Sequence, residues 1–191
     1  VETLSNLLPF NDRDISKELE RIFKKKGIKL LTGKKVIGFK ETAEIIETEL
    51  ETGEKLESDY VLFSVGREAN LSCIEGLEIK QDRGSIEVDK YMETSIKGVY
   101  AVGDINGLSM LAHSAFKMGE TAVKNALEEK EELRIENTPK CVYTLPEIAS
   151  VGITEEEARK KYGEIRIGRF NFGANGRAIA SSEEEGFVKV I

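Results

Sequence analysis

The run DYVLFSVG, Asp59 to Gly66, constrains the fold more than any other stretch. Tyr60, Val61, Leu62, Phe63 and Val65 leave almost no polar alternation, as in a strand covered on both faces. Antiparallel sheets commonly leave one face to water, whereas a parallel sheet between helices does not. The run therefore predicts a parallel α/β sheet. A second such run, GVYAVG from Gly98 to Gly103, leads into Asp104 and then a helical pattern from about Ser109 to Glu128. Open α/β sheets bind ligands at the carboxyl ends of their strands, which makes Asp104 a candidate binding residue.

Other segments carry local signals. DRDISKELERIFKKKG places Ile15, Leu19, Ile22 and Phe23 on one helical stripe. Asp12 or Asp14 can cap its start, while Lys24 to Lys26 and Gly27 suit its end. IKLL follows as a short strand, and KKVIGF, AEIIETEL and EKLES read as a small antiparallel meander with ETGE as a turn. SIEVD is a further strand candidate. The charged run EEKEELRIEN marks a domain boundary, unless it is a solvated helix end. Beyond it, CVYT and IASVG read as strands and TEEEARKKYG as a helix with a Thr154/Glu157 capping box. IRIGRFNF and GFVKVI are strands again, giving an α+β C-terminal part.

Composition excludes several classes. A net charge of −7 with acids along the whole length argues against a nucleic-acid surface or attraction to anionic membranes. No apolar run approaches the roughly 20 residues of a membrane span. The two cysteines, Cys73 and Cys141, have neither redox-pair nor metal-ligand spacing, and a single histidine argues against a His-rich metal site. No metal site is expected. Abundant Lys and Glu without Trp hint at a heat-adapted source.

An ionised Asp104 has only acceptors, so its partners are hydroxyl and N–H donors, such as the diol of a sugar or ribityl chain. Gly103 and Gly107 would let backbone and ligand approach closely. The following helix would aim free N–H groups and its positive dipole end at the same space. Local physics leaves Asp104 equally well explained as a helix cap. Ala112, Ala115, Gly119, Ala122 and Ala126 form a stripe of small residues that suits close approach to a ligand or simple core packing.

VYAVGDINGLSMLAHSAFKMGETAV resembles the second flavin-binding motif of the pyridine nucleotide-disulphide oxidoreductases. VLFSVGREAN is similar to the segment closing that family's NAD domain, with Ala69 where proline is usual. LLPFNDRDISKELERIFKKKGIKLLTGKKV resembles the region after the NAD domain's second strand. TLPEIASVGITEEEA and FNFGANGRA resemble the start of its dimerisation domain. Together they cover essentially the whole chain.

The resemblance implies partial NAD(P)- and FAD-binding Rossmann-like domains followed by part of the dimerisation domain. Residues 1–70 would be the latter part of the NAD domain, 71–133 the C-terminal segment of the FAD domain, and 134–191 the first part of the interface domain. Asp104, beside Gly103, would accept hydrogen bonds from the FAD ribityl hydroxyls, and Met110, Leu111, Ala112 and His113 would line the flavin with their backbone. His113 would be packed rather than a proton carrier. Glu2 would hold the adenosine ribose of NAD, and Val36 and Gly66 would lie along the NAD site; by themselves, Glu2 is equally well an exposed terminal acid and Gly66 a strand-end glycine. MLAH favours the branch that oxidises protein-bound dihydrolipoyl groups with NAD⁺, through a redox disulphide and FAD. The partner would then be the lipoyl protein of a 2-oxo acid dehydrogenase or glycine cleavage complex, and the enzyme a cytoplasmic homodimer. A mercuric or glutathione reductase, or a non-catalytic nucleotide-binding module, are the alternatives.

The family's redox Cys pair, GxGxxG loops and C-terminal His-Glu pair are absent from this sequence, so no catalytic residue is expected in it. With Val1 at one end and an apolar run reaching Ile191 at the other, the expectation is an internal, inactive piece of the enzyme.

Overall fold

The computed structural model describes residues 1–191, which divide into two compact units. The first comprises residues 1–63, 142–148 and 153–191, and the second residues 64–141 and 149–152.

In the first unit, helix α1 (Arg13–Lys25) starts at Asp12, whose carboxylate accepts from the Asp14 N–H at 3.0 Å. Its inward face buries Ser16, Leu19 and Ile22, and Lys24 and Lys25 sit at the negative end of its dipole. Strands β1 (Val36–Glu41), β2 (Ile46–Leu50) and β3 (Lys55–Ser58) form the expected antiparallel meander. Phe39 lies opposite Thr48, and Thr48 opposite Leu56. Helix α3 (Glu155–Tyr162) carries the capping box read from the sequence. The Glu157 N–H donates to Thr154 Oγ1, and the Thr154 N–H donates to Glu157 Oε2 at 2.7 Å. Elsewhere in the chain β6 (Lys140–Val142) and β7 (Ile148–Ser150) are three-residue strands; in this unit β8 (Gly168–Asn171) and β9 (Phe187–Val190) pair antiparallel.

A charge cluster ties this unit together. Lys189 on β9 is only 6% exposed, and its Nζ donates to Asp12 Oδ1 at 2.8 Å, Asp14 Oδ2 at 2.9 Å and Glu155 Oε2 at 2.7 Å. The second Asp12 oxygen accepts from the Glu155 N–H at 3.0 Å, so one carboxylate serves the starts of both α1 and α3. Burial alone would push the Asp12 carboxyl up, but the bonds from Lys189, Glu155 and Asp14 outweigh it and hold its pKa down. The same lysine, helped by Arg159, lowers Glu155.

The run Asp59–Gly66 departs from expectation. It forms no regular element and pairs with no strand, and Tyr60, Leu62 and Val65 are about 90% exposed. Two-sided burial needs strands beside the run and helices on both faces, and no segment of this chain supplies them. A parallel pairing occurs as an isolated bridge between Glu2 and Thr32, and no sheet of the chain has more than three strands. IKLL contributes to that bridge only through the Leu31 carbonyl, which accepts from the Glu2 N–H.

In the second unit, strands β4 (Gln81–Asp82) and β5 (Ser85–Ile86) form a short hairpin. The expected strand 98–103 is reduced to one antiparallel bridge between Glu93 and Tyr100, although Ala101 is buried. Ile79, Ile86 and Ala101 make one core cluster; Met92, Met118 and Ala122 make another. Helix α2 (Ala112–Ala126) buries Ser114, Met118, Thr121 and Ala122. The small-residue stripe is thus only partly in the core. Ala112 and Ala126 are exposed, Ala115 and Gly119 are half-buried, and exposed Phe116 and Val123 lie beside them. The acidic run after α2 folds back onto it. Asn125 Nδ2 donates to the Glu131 carbonyl, and the Glu131 carboxylate, paired with Lys117 and Lys124, is held below its ordinary pKa.

Candidate functional site

The site is built at the junction between the 98–103 segment and α2. Gly103 to Asn106 make a single 3₁₀ turn, closed by the Gly107 N–H on the Asp104 carbonyl at 3.2 Å. Gly103 (φ +80°) and Gly107 (φ +69°) lie in the left-handed region, as the turn requires. At Gly107 the space also demands glycine, because a Cβ would sit 2.6 Å from Ser85 Oγ. Asn106 is buried and pins the turn: its Nδ2 donates to the Ala101 carbonyl at 3.0 Å and its Oδ1 accepts from the Leu108 N–H at 3.1 Å.

With the turn fixed, Asp104 projects outward with its side chain half exposed. It is not the cap of α2. Leu111 holds that position in extended conformation, and no side chain caps the helix, so its first N–H groups are left for other partners. One Asp104 oxygen, Oδ2, accepts from Arg67 Nη1 at 3.2 Å; Oδ1 accepts no hydrogen bond within the chain. Arg67 Nη2 donates to the Met110 carbonyl at 2.8 Å. His113 is exposed rather than packed as expected; its ring donates from Nε2 to the Pro139 carbonyl at 2.6 Å and lines a cleft together with Lys117 and Cys141.

The remaining expected residues lie elsewhere. Gly66 (φ +114°), in the second unit, is exposed, and a Cβ there would meet nothing within 4 Å, so conformation rather than space calls for glycine. Glu2 and Val36 belong to the first unit. Glu2 is half-buried: its N–H donates to Leu31, its carbonyl accepts from the Lys34 N–H, and its carboxylate accepts from the Leu4 N–H at 2.8 Å. Val36 opens β1, half-buried opposite Leu50.

The sequence reading missed Arg67 and Asn106. Arg67 stands inside the VGR segment, but nothing local signals that it reaches a residue 37 positions away.

A sequence model of the pyridine nucleotide-disulphide oxidoreductases matches residues 1–119, and one of that family's dimerisation domain matches residues 138–191. The chain belongs to the pyridine nucleotide-disulphide oxidoreductase family. Among curated members, it is 39% identical to a dihydrolipoyl dehydrogenase from Thermus scotoductus over 200 residues, covering all of this chain and 43% of that protein. It is 36% identical to one from Rhizobium etli, covering all of this chain and 41% of that protein. Among solved structures of the family, LpdA from Mycobacterium tuberculosis superposes with a TM-score of 0.87 at 30% identity, over 98% of this chain and 42% of LpdA. The HOCl-induced flavoprotein disulfide reductase RclA from Escherichia coli, in its Cu(II) complex, gives 0.85 at 25% identity, over 98% of this chain and 43% of RclA. The chain thus spans about two fifths of the length of these relatives. Mixed helix and sheet, with a partial Rossmann-like part and a dimerisation part, is the architecture of this family and of this chain.

The site's donors and acceptors fit FAD. An acceptor-only carboxylate with a free oxygen suits ribityl hydroxyls, and uncapped N–H groups at a helix start suit a ring edge that gains negative charge. Two left-handed glycines leave the intervening turn without side-chain bulk at either end.

Proposed function

We propose that this chain is the part of an NAD⁺-dependent dihydrolipoyl dehydrogenase that supplies the ribityl side of the FAD site, a piece of the NAD site and the start of the dimer interface. The observation that carries the reading is identity of 36–39% to dihydrolipoyl dehydrogenases along the entire chain. Residues 1–70 would belong to the NAD-binding domain, 71–133 to the FAD-binding domain and 134–191 to the interface domain of a homodimer. FAD, when bound, supplies the electron transfer between a dithiol and the nicotinamide. The protein groups bind, orient and polarise. Asp104 accepts from ribityl hydroxyls through its free oxygen. The backbone from Met110 to His113 lines the flavin, and the N-terminal dipole of α2 stabilises negative charge on the ring. Glu2 holds the adenosine ribose of NAD, with Val36 and Gly66 along the dinucleotide. The protein-bound dihydrolipoyl group of a 2-oxo acid dehydrogenase or glycine cleavage complex is the reductant. The residues named here bind and orient rather than exchange electrons, and no redox cysteine pair lies in this sequence.

The test is NADH formation by the full-length protein from NAD⁺ and dihydrolipoamide, beside NADH or NADPH oxidation with glutathione disulphide and mercuric ion as the rival electron acceptors. Turnover with dihydrolipoamide and NAD⁺ supports the reading. Turnover only with a rival, or none with any, overturns it.

A further inference from the structure

Resting on the FAD reading above, we propose that Arg67 is a positioning residue for the flavin site, acting through Asp104. Its guanidinium spans the mouth of the loop between the 3₁₀ turn and α2. Nη1 donates to Asp104 Oδ2 at 3.2 Å and Nη2 to the Met110 carbonyl at 2.8 Å. One planar group therefore ties the carboxylate to the segment whose backbone begins α2. Only arginine offers two separate donors in a rigid fork; a lysine presents one point charge on a flexible stem.

This arrangement does little for the stability of the fold. The Arg67 and Asp104 side chains are 62% and 50% exposed, and ion pairs at such exposure contribute little. It does restrict Asp104. Without Arg67 that carboxylate has no other side-chain partner and turns freely about its χ angles. With Arg67 in place, Oδ2 is fixed and Oδ1 is the oxygen left to accept from a hydroxyl. Arg67 also directly follows Gly66, whose left-handed backbone (φ +114°) turns the chain just before the guanidinium is presented. Arg67 thus sets which oxygen faces the ribityl chain.

The test is a double-mutant cycle in the full-length protein, stripped of flavin and titrated with FAD by fluorescence quenching, alongside thermal melts of the apo forms. Arg67→Ala is expected to weaken FAD binding about tenfold, the effect of losing a charge-assisted hydrogen bond, with an unchanged apo melt. Asp104→Asn also weakens binding, and the double variant is no weaker than Asp104→Asn alone, because Arg67 acts through the carboxylate. Arg67→Lys falls between wild type and Arg67→Ala. Arg67→Gln gives the same comparison if the alanine variant does not fold. Wild-type affinity in both Arg67→Ala and Arg67→Gln overturns the inference, as do losses that multiply in the double variant. A wild-type protein that takes up no FAD overturns the flavin reading itself. FAD binding unaffected by Asp104→Asn removes Asp104 from the site, and the role of Arg67 with it.

Discussion

Replacing Lys189 by Met keeps the aliphatic stem packed and removes the cation shared by Asp12, Asp14 and Glu155. The lysine is 6% exposed, and its loss leaves Asp12 without a cationic partner, while Glu155 keeps Arg159 at 2.8 Å and Asp14 keeps Arg169 at 4.0 Å. Removing one partner of a buried ion pair costs about 3–5 kcal/mol; because Asp14 and Glu155 keep access to water, the lower end, about 3 kcal/mol, applies. At an m-value of about 2 kcal/mol/M, this lowers the urea midpoint of the 191-residue chain by about 1.5 M. Its pH dependence tests the cause. The folded-state pKa values of Asp12 and Glu155 lie below their ordinary values of 3.8 and 4.5. Their contribution is therefore complete above the ordinary carboxylate range and is lost as pH falls through the lowered values. In Lys189→Met those carboxylates lose the partner that holds them down, so acid relieves their repulsion. Urea midpoints of the two proteins should diverge at pH 7 and converge below about pH 4. Lys189 itself is raised: burial alone would lower it, but the three carboxylates outweigh burial. Its contribution is present below the ordinary 10.5 and fades only as pH rises through the raised value. A gap between wild type and Lys189→Met that stays constant from pH 7 to pH 3 would refute the electrostatic account and leave side-chain shape as the cause.

Four other outcomes are expected. Gly107→Ala should lower chain stability by about 1–3 kcal/mol, read from its thermal melt, since it combines left-handed backbone with a Cβ 2.6 Å from Ser85 Oγ; an unchanged melt contradicts this. Thr121→Val should raise stability by about 1 kcal/mol, because the buried Thr121 Oγ1 has no hydrogen-bond partner; chemical denaturation showing a loss would mean that the hydroxyl is satisfied. The chain should self-associate in sedimentation through the exposed run 60–65, and Leu62→Lys with Val65→Lys should shift it towards monomer; a concentration-independent monomer without those changes speaks against an adhesive edge. The isolated 191-residue chain should bind FAD weakly or not at all, and micromolar binding that disappears in Asp104→Ala would show that this side of the site suffices.

What was legible in the sequence was what is decided within a few residues. The cap at Asp12, the Thr154/Glu157 box and the turn between β2 and β3 are set by neighbours three or four positions apart, and they form as expected. The two-faced strand at 59–66 was correctly apolar, but burial is a property of its neighbours, and this chain has none to place there. Local pattern left Asp104 undecided between cap and acceptor; the structure gives the cap position of α2 to Leu111. The Lys189 cluster joins positions up to 177 apart, and Arg67 meets Asp104 across 37. Neither has a periodic or motif trace, since charged residues at one third of the chain offer too many possible pairs.

The most direct measurement is the flavin content of the full-length protein and its Asp104→Ala variant, purified in parallel and read by absorbance after denaturation. The account predicts about one FAD per chain in wild type and a substantial loss in the variant. A colourless wild type, or a variant that keeps its full complement of flavin, would contradict it.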